Sequence, residues 1–189
     1  MDSVLALVAS AAAIYALLAI AMGVIPGSVL SQTPPGPGVV PLDAAAARGR
    51  DLYVAEGCSY CHTQQVRPLA QDRVWGRASV AGDFTYSTPQ LLGSERTGPD
   101  LSNIGARQPS AVWQSIHLYE PRALVHASIM PAYPWLFVVK DRAAPGDVVV
   151  QVPPGYAPAG KVVVATRAEQ DLVAYLASLQ QHALPGPAR

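Results

Sequence analysis

The chain has 189 residues, with 13 Lys or Arg against 13 Asp or Glu, and 14% of it is charged where 50% is hydrophobic. So balanced a charge leaves no footprint for a nucleic-acid partner or a polybasic membrane contact, and the length fits one modest domain with an appendage. There are two cysteines in all, so a zinc site built on two cysteine pairs is excluded.

From Ser3 to Leu42 there is no charged residue, and Val4 to Ile25 is a nearly continuous apolar run of 22 residues. As a helix such a run crosses about 30 Å of hydrocarbon. The competing reading is a cleaved signal peptide with Ala19-Ile20-Ala21 as the small-residue site. Against it, the start of the chain lacks Lys or Arg and the apolar run exceeds the usual 7 to 15 residues. A retained anchor over residues 1–25 is the expectation. No Lys or Arg lies near it before Arg48, so charge cannot orient it.

Pro26-Gly27 and Pro34-Pro35-Gly36-Pro37-Gly38 follow, and residues 26–42 are expected to be a linker in which neither helix nor strand persists. Asp43 is placed to cap a helix that runs through Ala44–Ala47, with Gly49 and Tyr53 four apart on one face. That helix leads into Cys58-Ser59-Tyr60-Cys61-His62. Two thiols at this spacing can each add to one vinyl group of a single haem, while the adjacent imidazole reaches the iron. A redox dithiol calls for a strand-helix setting that the helical residues before Cys58 do not supply. One covalently bound haem c would use both cysteines.

A bound iron needs a sixth ligand or an open face. Met1 is the initiator and Met22 lies in the apolar run, which leaves Met130, set in Ser128-Ile129-Met130-Pro131-Ala132-Tyr133-Pro134-Trp135. The prolines stiffen the backbone around a thioether whose ligation makes a low-spin carrier of raised potential. A lone Met is more often core filler, and three histidines compete. His126 is the runner-up. His117 belongs to an expected helix over 110–118 beside Trp113 and Ile116, where a packed histidine is the plainer reading, and His182 lies near a Pro-rich tail over 183–189.

Between these ligands, Arg96-Thr97-Gly98-Pro99-Asp100-Leu101 reads as a turn. Only two of the 13 cations are lysines. Arginine suits carboxylates, and Arg67 and Arg96 flank the turns next to the motif, which makes them candidates for pairing with haem propionates; solvated arginine is the bland alternative. Further on, Val148–Val152 and Lys161–Ala165 are β-branched runs separated by Pro153-Pro154-Gly155 and Gly160, expected to form a hairpin-like insertion over about 138–165. Its apolar character motivates a contact with a neighbouring subunit. Thr166-Arg167-Ala168-Glu169 reads as a capping box, followed by Leu172, Tyr175, Leu176 and Leu179 at helical spacing. The pattern alone fits an ordinary amphipathic terminal helix; its pairing with Gly49 and Tyr53 resembles the arrangement of a class I cytochrome c, which implies that it packs across the first helix, with glycine at the crossing letting two backbones approach.

The helix before the haem motif and the terminal helix resemble those of class I cytochromes c. The implied fold is mainly α: a single transmembrane helix followed by a monohaem cytochrome c domain over 43–182. That resemblance carries Pro99 over as the carbonyl acceptor for the Nδ1–H of His62. It also implies maturation outside the cytoplasm. A closer likeness lies in Gly49-Arg50-Asp51-Leu52-Tyr53, Glu56-Gly57-Cys58, Cys61-His62-Thr63-Gln64-Gln65-Val66-Arg67-Pro68, Ser79-Val80-Ala81-Gly82-Asp83-Phe84, the Arg96–Leu101 segment and Met130–Leu136. These resemble the monohaem subunit II of cbb3-type haem-copper oxidases over roughly 41–136. Leu91-Leu92 and Glu95 depart from the pattern. The resemblance implies a non-catalytic electron-transfer subunit of a bacterial cytoplasmic membrane, with its haem domain on the periplasmic side. Its implied partners are a large haem-copper catalytic subunit and a cytochrome c donor, such as a dihaem subunit. The implied haem ligands are Cys58, Cys61, His62 and Met130. Rivals are the cytochrome c subunit of nitric oxide reductase, a haem sensor or peroxidase with an open iron face, and a free periplasmic carrier.

Overall fold

A computed structural model describes residues 2–93 and 95–184 of the chain; most of the expected tail lies outside the described residues. The apolar segment is helical over Asp2–Ala19 (α1), widens into a π turn over Ile20–Val24, and continues as Ile25–Leu30 (α2). Helix therefore persists five residues past the expected anchor end, straight through Pro26-Gly27. The reason is local. The Ile25 N–H donates back to Ile20 O across the wide turn, and Pro26 follows at the start of a new helical segment, where a missing N–H costs little. The hydroxyls of Ser10 and Ser28 donate to Ala6 O and Ile25 O, both at 2.8 Å, so these polar side chains need no water. Ser3–Leu30 is long and apolar enough to cross a membrane, and none of its apolar window is buried against the rest of the chain.

The Pro/Gly-rich segment that follows is fastened rather than free. The Gly36 N–H donates to Gly82 O at 3.0 Å. Helix Ala44–Ala55 (α3) begins at Asp43, whose carboxylate accepts from the Ala46 N–H at 2.8 Å. It crosses the terminal helix Arg167–Ser178 (α6). Gly49 is buried at that crossing, where an added Cβ would collide with the Asp171 carbonyl and stand 2.8 Å from Tyr175 Cβ. Around it Tyr53 and Tyr175 meet edge to face at 5.5 Å, and Arg48 forks onto Asp171 at 2.7 and 2.9 Å. Leu172, Tyr175 and Leu176 are buried as the spacing predicts.

The capping box at the start of α6 is half made. Thr166 Oγ1 accepts from the Glu169 N–H at 3.2 Å, but the Thr166 N–H donates to Leu136 O at 3.1 Å instead of to Glu169. Glu169 is left buried, with Oε1 unpartnered. A short helix Ile104–Arg107 (α4) abuts the end of α6 through Gly105, whose N–H donates to Leu179 O at 2.9 Å. Helix Ala111–Tyr119 (α5) buries Ile116 and Leu118.

In place of a two-stranded hairpin there is a three-stranded antiparallel sheet. Its strands are Phe137–Lys140 (β1), Val148–Val150 (β2) and Val162–Ala165 (β3), in the order β1-β3-β2. The expected pair exists as Val148↔Ala165 and Val150↔Val163, while β1 covers the other edge of β3 with Phe137↔Ala165 and Lys140↔Val162. The extra strand follows from Phe137-Val138-Val139, an aromatic and β-branched run next to a β3 whose Val163 and Val164 are both buried. A two-stranded hairpin alone is marginal in water.

Candidate haem site

Helix α3 delivers the motif. It stops at Gly57, whose φ of +73° turns the chain left-handed, a conformation that suits glycine. A tight turn over Cys58–Tyr60 follows, in which the Cys61 and His62 N–H groups donate to Cys58 O at 3.2 and 3.0 Å. Both thiols are free; Cys58 is buried and Cys61 is exposed. Burial, helped by Glu56, pushes the Cys58 thiol up to about 11.

His62 Nδ1 lies 2.7 Å from Pro99 O, so Nδ1–H donates to the carbonyl and Nε2 is left as the basic nitrogen. Burial lowers the imidazole pKa and outweighs the opposing effect of Pro99, which favours the neutral form that binds metal. Beneath it sits Gly98, where a Cβ would run into the ring, standing 2.9 Å from Nδ1 and 3.0 Å from Nε2. Two free thiols on one turn, an imidazole with one nitrogen engaged, and a glycine cradle are the donor set a c-type haem requires. The residues fit the group.

Met130 is half-buried and packs on the core; its N–H donates to Ser128 Oγ at 3.2 Å. Its loop is strapped at two places. The Tyr133 N–H donates to Leu118 O at 2.9 Å, and Trp135 Nε1–H donates to the Glu56 carboxylate at 3.1 and 3.2 Å. Tyr133 is pushed up to about 12 by burial and by Cys58 and Cys61, so this loop borders the cysteine turn. The histidines separate by place. His117 stacks on Trp113 at 4.5 Å, with Nδ1 buried and unpartnered, and burial with the nearby His62 pushes it down to about 4. His126 is exposed. His182 is exposed, packs against Gly38 and accepts from Arg77 Nε at 2.6 Å through its carbonyl.

Arg67 and Arg96 converge on one carboxylate. Arg67 Nε and Nη2 donate to Asp72 at 2.9 and 3.1 Å, and Arg96 Nη1 donates to the same side chain at 2.8 Å. Arg67, then Arg96, holds the buried Asp72 carboxyl well below the usual carboxylate range. Both guanidiniums are thus engaged by the protein itself. Asp72 and Asp100 are the site residues that sequence reasoning missed. Asp100 was visible inside the Gly98-Pro99-Asp100 turn; Asp72 sits in a polar loop with no periodicity, so nothing signalled its burial.

Comparison with known families points to one haem. The chain matches the model for the cytochrome c oxidase mono-haem subunit, FixO, over residues 2–150. It belongs to that family. Mono-haem subunits of this kind are part of a cytochrome c oxidase, so one haem and a catalytic partner subunit come with the assignment, and the resemblance to cbb3-type oxidases stands. The match takes in the apolar helix, the cysteine turn, Pro99 and Met130, and ends at the close of β2. No curated protein matches the chain.

Proposed function

We propose that this chain is the electron-relay subunit of a cbb3-type oxidase. In this reading Cys58 and Cys61 bind one haem covalently, His62 and Met130 ligate its iron, and the domain faces the extracytoplasmic side, between a cytochrome c donor and the catalytic subunit. The observation that carries it is His62, with Nδ1 committed to Pro99 and its ring against Gly98. A haem held in this way supplies a one-electron ferric-ferrous couple in which no bond of a substrate is made or broken.

The remaining work belongs to the protein. Pro99 fixes the His62 tautomer and raises the basicity of Nε2. The straps at Tyr133 and Trp135 hold the Met130 loop beside the cysteine turn, which limits reorganisation of that loop when charge changes. The crossing of α3 over α6, with the motif at the end of α3, supports a class I cytochrome c arrangement for this body. The apolar helix would keep it at the membrane surface, where its partner subunit lies.

Two measurements on the full chain test the reading. A pyridine haemochrome spectrum should show thioether-linked haem that is lost in Cys58→Ser/Cys61→Ser. The ferrous protein should resist carbon monoxide, and Met130→Ala should bind it. An unsubstituted protein that takes up carbon monoxide readily belongs instead to the open-coordination class.

A further inference from the structure

The loop that carries Pro99 has little secondary structure to hold it. Proline has no N–H of its own and a fixed φ, so the position of its carbonyl is set by its neighbours. On either side, the Gly98 N–H donates to Cys61 O at 2.9 Å and the Leu101 N–H donates to Thr63 O at 2.8 Å. Asp100, fully buried, accepts from Thr63 Oγ1–H at 2.5 Å, from the Gln65 N–H at 2.9 Å and from the Ser102 N–H at 2.8 Å.

Arg96 joins all of these parts. Nε donates to Thr63 Oγ1 at 2.8 Å, Nη1 to Asp72 at 2.8 Å and Nη2 to Gln65 O at 2.6 Å, while Nη2 also stands 3.6 Å from Asp100 Oδ2. Its side chain is 16% exposed, between carboxylates that are 2% and 0% exposed. One planar fork thus ties residues 63–65, next to His62, to residues 96–100, which carry Pro99. Lysine, a point charge on a flexible stem, cannot make these contacts at once.

We propose that Arg96 is a positioning residue for the iron's imidazole ligand: its guanidinium sets the Pro99 carbonyl on His62 Nδ1–H and thereby helps fix the redox potential. This assignment rests on the haem reading above. A firm Nδ1–H bond gives the imidazole more anionic character, which favours ferric iron. Slack in that bond favours ferrous iron and raises the potential. Loss of the Arg96 charge acts the other way, because the buried Asp72 and Asp100 carboxylates would then stabilise the ferric state. The two routes therefore have opposite signs.

The test takes the full chain, matured with haem and purified in detergent, as the parent and as Arg96→Lys, Arg96→Gln and Thr63→Val. Thr63→Val cuts the Nε contact together with the Thr63 hydroxyl's bond to Asp100 while leaving every charge in place, and it stands in for Arg96→Lys if that variant does not mature. Arg96→Lys and Thr63→Val are expected to shift the ferrous-ferric balance several-fold toward ferrous, where tenfold corresponds to about 59 mV for one electron. Exchange of the His62 Nδ1 proton, followed by NMR in the diamagnetic ferrous state, should quicken at least about tenfold. If the charge-conserving variants keep the parental potential and exchange rate while their thermal midpoints fall, Arg96 is only structural and the proposal is overturned. A lowered potential in Arg96→Gln alone would assign the effect to charge and overturn it as well. A parent chain without covalent haem would sink the haem reading first, and this assignment with it.

Discussion

Gly49→Ala sets two opposite expectations against each other. Helix propensity alone favours the substitution by about 1 kcal/mol, because alanine restricts the unfolded chain and glycine does not. The tertiary structure says otherwise. The new methyl would overlap the Asp171 carbonyl and stand 2.8 Å from Tyr175 Cβ, and both neighbours are anchored: Asp171 by Arg48 and Arg167, Tyr175 by its hydroxyl donating to Gln64 Oε1 at 3.0 Å. Since the obstacle is backbone, α3 and α6 must part by roughly 1 Å, and the contacts of Tyr53, Leu172 and Leu176 loosen with them. Overpacking of this kind costs about 1–3 kcal/mol, occasionally more. With the propensity gain subtracted, a net loss of about 2 kcal/mol at the upper end corresponds to a fall of roughly 4–8 °C in thermal midpoint for a domain of this size. The assay is far-UV circular dichroism of the haem-loaded full chain during heating. A midpoint above the parent's would refute the close crossing.

Other substitutions probe separate parts of the argument. Burial raises the Glu169 carboxyl, so above the ordinary carboxylate value the unfolded chain loses a proton that the folded chain keeps, and stability declines as pH rises toward the raised value. Glu169→Gln should flatten that slope in urea unfolding compared between pH 4.5 and 8; an unchanged slope would mean that Glu169 titrates normally. Gly98→Ala puts a methyl into the His62 ring and should lower the yield of matured haem several-fold, read from the haemochrome band, whereas full loading would show that the cradle has room to spare. For the sheet, Val138 and Val148 are 45% and 46% exposed while Val150 is 6% exposed. Val138→Glu and Val148→Glu should therefore leave the fold intact and test subunit contact by co-purification with the catalytic subunit, and an undiminished yield of complex would argue against that contact. Val150→Glu should unfold the sheet instead.

The sequence by itself determined what depends on local chemistry. Cysteine spacing, the adjacent histidine, an uncharged apolar run and the 3.6-residue stripe of Leu172, Tyr175 and Leu176 each carry their meaning in consecutive residues. The cap at Asp43 was legible for the same reason, whereas the close approach at Gly49 was implied by the resemblance to class I cytochromes c. Only the tertiary structure decided where long-range partners divert a residue from its local rule. Glu169 fits a capping box, yet the Thr166 N–H found Leu136 O first. Pro26 reads as a break, yet a π turn before it lets the helix continue. β1 was missed because strand pairing depends on what lies alongside. Arg67 and Arg96 read as partners for haem propionates, with solvated arginine the alternative, because the carboxylate they share, Asp72, is 5 and 24 residues distant. Whether a charge faces a ligand or another side chain is set by chain reversal in space, and no periodicity along the sequence encodes it.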